Sequence, residues 1–289
     1  MDQADTLREL LGKPHGPAAP MRVIAVTSGK GGVGKTNVSV NLAALAASRG
    51  QRVLLIDADL GLANSHIVMG VAPRYHLGHL LDGTVGVDDV LADGPHGLKM
   101  LSASSGVQEM TRLDDAQKLR LLTALDPLDE RFELVFIDCG AGIGDNVVFF
   151  AGAAQMTLLV VTPEPTSLTD AYAAVKVLSQ RAGVRHFSVV VNWAHDEQQA
   201  RDIFQKLSRV TDRFLQAKVT YVGSLPRDEN VQRSVMAQQP VVDLYPQAPC
   251  SRALARLADE LLSWTPPATV DGGMKLMWQR LLRDQQPVA

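Results

Sequence analysis

Gly29-Lys30-Gly31-Gly32-Val33-Gly34-Lys35-Thr36 follows the apolar run Val23-Ile24-Ala25-Val26 and leads into a helix-like segment from Asn37 to Ser48. These residues satisfy the pattern GxxxxGK[ST] in the strand, loop, helix setting that gives the pattern its chemistry. Glycines let such a loop wrap on itself and bring backbone N–H groups against phosphate oxygens, and the helix that follows points its partial positive end at the same anion. Gly29, Lys30, Gly31, Gly32, Val33, Gly34, Lys35, Thr36 and Asn37 are therefore the expected phosphate cradle. Lys35 pairs with the outer phosphates and Thr36 ligates magnesium. The fold class that carries such a loop is α/β, with a mostly parallel central sheet flanked by helices on both faces.

Lys30 sets this loop apart. A second ammonium so near Lys35 costs free energy unless a large negative charge lies between them, and a triphosphate supplies that charge.

With 289 residues and 46% hydrophobic content, the chain can bury one sizeable core and is expected to form one domain with small appendages. A formal charge of -3 gives no global attraction to nucleic acid, which disfavours direct DNA binding. Cys139 and Cys250 are too few and too far apart for a disulfide framework or a zinc site, a composition that fits a reducing cytoplasm. The sequence shows neither a secretory signal nor an apolar run long enough to span a bilayer.

Two further runs place carboxylates where the loop needs them. Arg52-Val53-Leu54-Leu55-Ile56-Asp57 and Glu133-Leu134-Val135-Phe136-Ile137-Asp138 read as buried strands ending in an acid. In an open parallel sheet, ligands sit beyond the carboxyl ends of the strands, so both acids arrive at the phosphates. Asp138 is the magnesium carboxylate and Asp57 supports the same shell, while Asp59 positions or activates the attacking water. The Gly-rich turn Cys139-Gly140-Ala141-Gly142-Ile143-Gly144-Asp145 reads as a switch that holds one shape with the third phosphate present and relaxes without it. Strands are also expected at Lys99 to Leu101, Leu158 to Thr162, Phe187 to Asn192 and Val219 to Leu225, with a Gly-rich, irregular stretch from Leu60 to Leu98 that holds short helical pieces near Asn64 to Met69 and Leu77 to Leu81. Helices are expected at Asp115 to Leu125, Leu168 to Gln180 (with Thr166 or Ser167 as its N-cap), Glu197 to Phe214 and Ser251 to Trp264. Asn192 is either a reader of the adenine edge or a turn residue. Pro226-Arg227-Asp228 forms a rigid turn nearby, with Arg227 able to stack on the base.

Both ends carry appendages. Residues 2–11 read as a short amphipathic helix and 12–20 as a Gly- and Pro-rich linker, so residues 21–264 form the domain proper. After a second linker at 265–273, residues 274–284 place Met274, Met277, Trp278, Leu281 and Leu282 on one helical face and basic side chains on the rest. That pattern suits an interfacial membrane helix or a helix packed on its own domain.

The motifs GKGGVGKT, DADLGLAN at Asp57 to Asn64 and DCGAGIGD at Asp138 to Asp145 resemble the deviant Walker A ATPases of the MinD/ParA family, a branch of the SIMIBI class. Within it, DQADTLR at Asp2 to Arg8 and PEPTSLTDAY from Pro163 are most similar to the flagellar branch known as FlhG or FleN. The resemblance implies a slow, regulated ATPase that dimerises around ATP and magnesium, with Lys30 reaching the partner's nucleotide and Glu164 touching its ribose. It assigns Asp59 as the hydrolytic carboxylate, and Asn192 with Pro226, Arg227 and Asp228 as adenine contacts. It also implies that the opening motif stimulates the SRP-type GTPase FlhF. Relatives act besides on a transcription activator of the FleQ/FlrA type or on flagellar switch proteins, and reversible attachment to the inner face of the membrane follows from the terminal helix. Cys139 stands where relatives often carry a hydroxyl. Competing readings are a MinD-like division-site ATPase, a binding module that loads ATP without turning it over, and a redox iron protein on the same fold.

Overall fold

The computed structural model describes residues 21–59, 64–102 and 128–264. The N-terminal helix, both linkers, the helix expected at Asp115 to Leu125 and the C-terminal amphipathic helix lie outside these residues.

The strands are β1 (Arg22–Ser28), β2 (Val53–Ala58), β3 (Leu91–Asp93), β4 (Lys99–Ser102), β5 (Leu134–Ala141), β6 (Met156–Val161), β7 (His186–Ala194) and β8 (Lys218–Pro226). They form one sheet in the order β3-β4-β2-β5-β1-β6-β7-β8. All neighbours run parallel except β3 and β4. Helices α1 (Lys35–Ser48), α2 (Ser65–Met69), α3 (Leu77–Leu81), α4 (Leu128–Arg131), α5 (Asp145–Ala153), α6 (Pro165–Arg181), α7 (Glu197–Phe214), α8 (Glu229–Met236), α9 (Val241–Leu244) and α10 (Pro249–Ser263) alternate with them.

Strand alternation divides the core between the two faces. Val23, Ala25, Leu54, Ile56, Val135 and Ile137 pack with α5, α6 and α7, whereas Ile24, Val26, Val53, Leu55, Leu134 and Phe136 pack with α1 and α10. Continuous apolar runs are what a sheet covered on both faces requires. The same period of two puts Asp57 and Asp138 on the α1 face, in line with Val53, Leu55, Leu134 and Phe136. Cys139 falls on the other face, fully buried.

The structure departs from the sequence reading in places. The stretch expected to be irregular contains β3, an antiparallel edge strand of three residues. α6 begins at Pro165, and neither Thr166 nor Ser167 is its N-cap; that position is Glu164, whose side chain makes no cap bond. Proline at the first helical position supplies a preset φ and no unsatisfied N–H, which removes the need for a hydroxyl cap. The two hydroxyls do other things: Ser167 Oγ accepts the Thr162 N–H at 3.0 Å, and Thr166 Oγ1 meets Lys30.

Candidate functional site

The phosphate loop joins β1 to α1 and depends on glycine where space and torsion forbid anything else. A Cβ on Gly29 would sit 2.1 Å from the Asp170 carbonyl carbon, so the loop packs directly on the backbone of α6. Gly34, the residue before α1, has φ 86, and a Cβ there would meet Asn192 Nδ2 at 2.4 Å. α1 starts with no side-chain cap and no acid in its first turn. Its leading N–H groups thus remain directed at whatever anion the loop encloses.

Parallel pairing sets Asp57 directly opposite Asp138. Asp138, 1% exposed, is the hub: Oδ1 accepts from Lys35 Nζ at 2.9 Å and Ser39 Oγ at 2.9 Å, and Oδ2 accepts from Ser65 Oγ at 3.0 Å. Asp57, wholly buried, accepts the Ser65 N–H at 3.0 Å and the Asp59 N–H at 3.2 Å. Burial, reinforced by the Asp138 charge, pushes the Asp57 carboxyl up to about 6. Burial alone would lower the Lys35 pKa, but Asp138 beside it outweighs that and raises it. Two adjacent acids, one cation and two hydroxyls form a compact oxygen-rich cluster at the head of α1.

Asp59 follows on the loop after β2, with Oδ1 3.8 Å from where a Gly140 Cβ would lie. The two segments assigned to the terminal phosphate therefore meet. Cys139 packs in the core of the opposite face, where its thiol donates to the Ile137 carbonyl at 3.8 Å; burial pushes its pKa up to about 12.

Lys30 folds back within its own chain, where Nζ reaches Glu164 Oε2 at 2.5 Å and Thr166 Oγ1 at 3.0 Å. Both partners of this ion pair are substantially exposed, so solvent screens it.

A cavity of about 1040 Å³ extends from the loop past the ends of β7 and β8, lined by Gly34, Asn37, Glu164, Asn192, Pro226 and Arg227 among others. Asn192 does structural work there: Nδ2 donates to the Val33 carbonyl at 2.8 Å and Oδ1 accepts the Trp193 N–H at 3.0 Å. Each group keeps capacity for one more bond, so a base contact remains open to it. Asp228 also lines the cavity, but its carboxylate accepts the Asn230 N–H at 2.9 Å and the Cys250 N–H at 3.1 Å, capping α8 and tying it to α10. Arg227 is exposed at the rim.

The residues present fit a magnesium nucleotide. Asn37 Oδ1 is buried without a hydrogen-bond partner and its residue lines the cavity. Thr36, Asp57 and Asp138 offer only hard oxygen donors. Among the described residues no group of three or more His, Cys, Asp or Glu side chains could hold a metal by itself. That donor set suits magnesium, which takes one or two carboxylates plus phosphate oxygens rather than a protein cage.

Sequence reasoning missed Ser39 and Ser65, which both bond to Asp138. Ser39 was within reach of it, since it lies four residues after Lys35 on the same helical face.

A mostly parallel sheet with this loop, two strand-end acids and a cavity roomy enough for a nucleotide defines a P-loop nucleoside-triphosphate-binding protein. Residues 24–241 match the CobQ/CobB/MinD/ParA nucleotide binding domain, and the chain belongs to that family. It is 44% identical to "Antiactivator FleN" of Pseudomonas aeruginosa over 271 residues, covering 94% of this chain and 97% of the relative. It is 27% identical to "Flagellum site-determining protein YlxH" of Helicobacter pylori over 266 residues, covering 91% and 90%. The fold superposes on the cell division ATPase MinD of Pyrococcus furiosus with a TM-score of 0.64 and 26% identity, covering 83% of this chain and 98% of that one.

Proposed function

We propose that the chain is an ATP-hydrolysing dimerisation switch that regulates flagellar number and placement. The observation that carries the chemistry is the cluster around Asp138, where Lys35, Ser39 and Ser65 converge at the head of α1. The flagellar assignment rests on similarity to FleN along 94% of the chain.

Magnesium, when bound, supplies charge neutralisation across the phosphate oxygens, and Thr36, Asp57 and Asp138 would hold it. Lys35 exchanges its bond to Asp138 for the outer phosphates, which frees that carboxylate to act on the metal. Asp59, beside Gly140, orients the attacking water and links turnover to the switch segment 139–145. Catalysis of this kind is mainly positioning and electrostatics, which suits a slow, regulated enzyme.

Dimerisation is supported by the surface around the loop. Large apolar side chains exposed among the described residues include Ile67, Ile143, Trp193 and Met236. All four lie on segments at the carboxyl end of the sheet, where a second copy would close over the nucleotide. Lys30 leaves Glu164 and reaches the partner's phosphates; Glu164, so released, is available to the partner's ribose. The opening motif at Asp2 to Arg8 acts on FlhF, and the helix at 274–284 attaches the dimer reversibly to the membrane from the cytoplasm. A transcription activator of the FleQ/FlrA type, or the flagellar switch proteins, are the further partners.

Two measurements test this. Light scattering on the Asp59→Ala protein should show a monomer without nucleotide and a dimer with magnesium and ATP. FlhF GTPase activity should rise with the intact chain and not with a chain begun at Met21. A permanent monomer, or equal stimulation by both chains, would sink the corresponding half of the reading.

A further inference from the structure

β7 and β8 pair in parallel with two shifts of register, one between Val189 and Val190 and a second at their last residues. Asn192 pairs with Leu225 and Ala194 with Pro226, which leaves Trp193 without a partner in the ladder. An extra residue of this kind is a bulge, and bulges beside binding sites commonly re-aim a side chain. Trp193 takes φ 61, a left-handed conformation that bulky residues seldom adopt. Its N–H is held by Asn192 Oδ1 at 3.0 Å, and the same side chain's Nδ2 grips the Val33 carbonyl at 2.8 Å. One amide thus fastens a strained tryptophan to the phosphate loop.

The ring points to a use for that strain. A Cβ built on Gly34 would lie 4.0 Å from indole Cζ2, so the ring stands next to the loop. It lines the same cavity as Asn37, Asn192, Pro226 and Arg227, and 40% of the residue is exposed. Burial does not account for an indole placed here, and the ladder would have directed it elsewhere. Strained side chains that persist at a cleft are a recurrent mark of ligand clamps.

We infer that Trp193 is a base-binding residue, its indole forming the wall on which the purine ring of a nucleoside triphosphate stacks. The inference rests on the nucleotide reading above and deepens it by naming the group that holds the base. Stacking tolerates any flat ring, so Trp193 governs affinity rather than the choice between purines. Asn192 becomes its positioning residue.

The test separates base from phosphate. Full-length wild type, Trp193→Asn and Trp193→Phe would each be titrated by calorimetry with magnesium ATP and with inorganic tripolyphosphate. Asparagine tolerates the left-handed backbone and removes the ring, while phenylalanine keeps a smaller one. Trp193→Asn should weaken ATP roughly tenfold and leave tripolyphosphate unchanged, with Trp193→Phe in between. Of the tryptophans Trp193, Trp264 and Trp278, the first should dominate an emission change on adding ATP, absent in Trp193→Phe and absent with tripolyphosphate. Equal losses for the two ligands would mean that the ring only props the loop, and would overturn the inference; so would unchanged ATP affinity in both variants. If wild type itself fails to bind ATP, the nucleotide reading falls and this inference with it, a result read on wild type alone.

Discussion

Replacing Asp57 with Asn tests whether the two strand-end acids are built for a cation that the protein itself does not supply. Asp57 is completely buried and sits opposite Asp138. Its carboxyl titrates at about 6 in the folded chain against an ordinary 3.8, because burial and then the Asp138 charge disfavour ionisation. Between those values the folded state binds more protons than the unfolded state, so this group's contribution to stability is fully present below pH 3.8 and is lost as pH rises through about 6. The shift is about two units, and at roughly 1.4 kcal/mol per unit the loss is about 3 kcal/mol. Asparagine cannot ionise. It also places a donor near the N–H groups of Ser65 and Asp59, a pH-independent cost of about 1 kcal/mol. The difference in unfolding free energy, Asp57→Asn minus wild type, should therefore rise by about 2 kcal/mol between pH 4 and pH 7 whatever its starting offset, the rest of the change lying below pH 4. Reversible urea unfolding in EDTA at several pH values, without nucleotide, measures it. Saturating magnesium ATP should then favour wild type, since the cation turns a buried repulsion into a ligand pair. A difference that is flat or falls with pH would show that Asp57 is not held against its ionisation, and the cation argument would lose its footing.

The other expectations are simpler. Lys35→Met strips the cation from a buried carboxylate, leaving only Ser39 and Ser65, and should cost about 3 kcal/mol in a urea melt as well as abolishing ATP binding. Gly29→Ala drives a Cβ into the Asp170 backbone, so the loop must move by nearly 1 Å; ATP turnover should drop on the order of a hundredfold while circular dichroism stays native. Lys30→Ala breaks an exposed ion pair to Glu164 and an exposed hydrogen bond to Thr166 and should change monomer stability by about 1 kcal/mol or less, yet remove the ATP-dependent dimer seen by light scattering. A Lys30→Ala protein that dimerises normally would count against the proposed exchange of partners.

Much of the site was written in short stretches. The loop announces itself because glycine spacing, the lysine and the hydroxyl are contiguous, and the acids at Asp57 and Asp138 announce themselves because apolar runs of strand length end on them. Periodicity then says which face each acid takes. Sequence alone therefore determined the α/β class and the places of the glycine-rich loop and the two strand-end acids, since each depends on residues within a few positions of one another.

Contacts across the chain were decided by tertiary structure. Nothing local ties Lys30 to Glu164, 134 residues away, or Asn192 to Val33, 159 residues away. Thr166 read as a helix cap until Pro165 took the first helical position and turned its hydroxyl toward Lys30. β3 and α9, three and four residues long, are shorter than the period by which a strand or helix is recognised. The bulge at Trp193 exists only because β8 runs beside β7 in a slipped register. A pattern along the chain can name the chemistry it carries; which distant side chain completes it is set by packing, where the surrounding fold fixes the geometry.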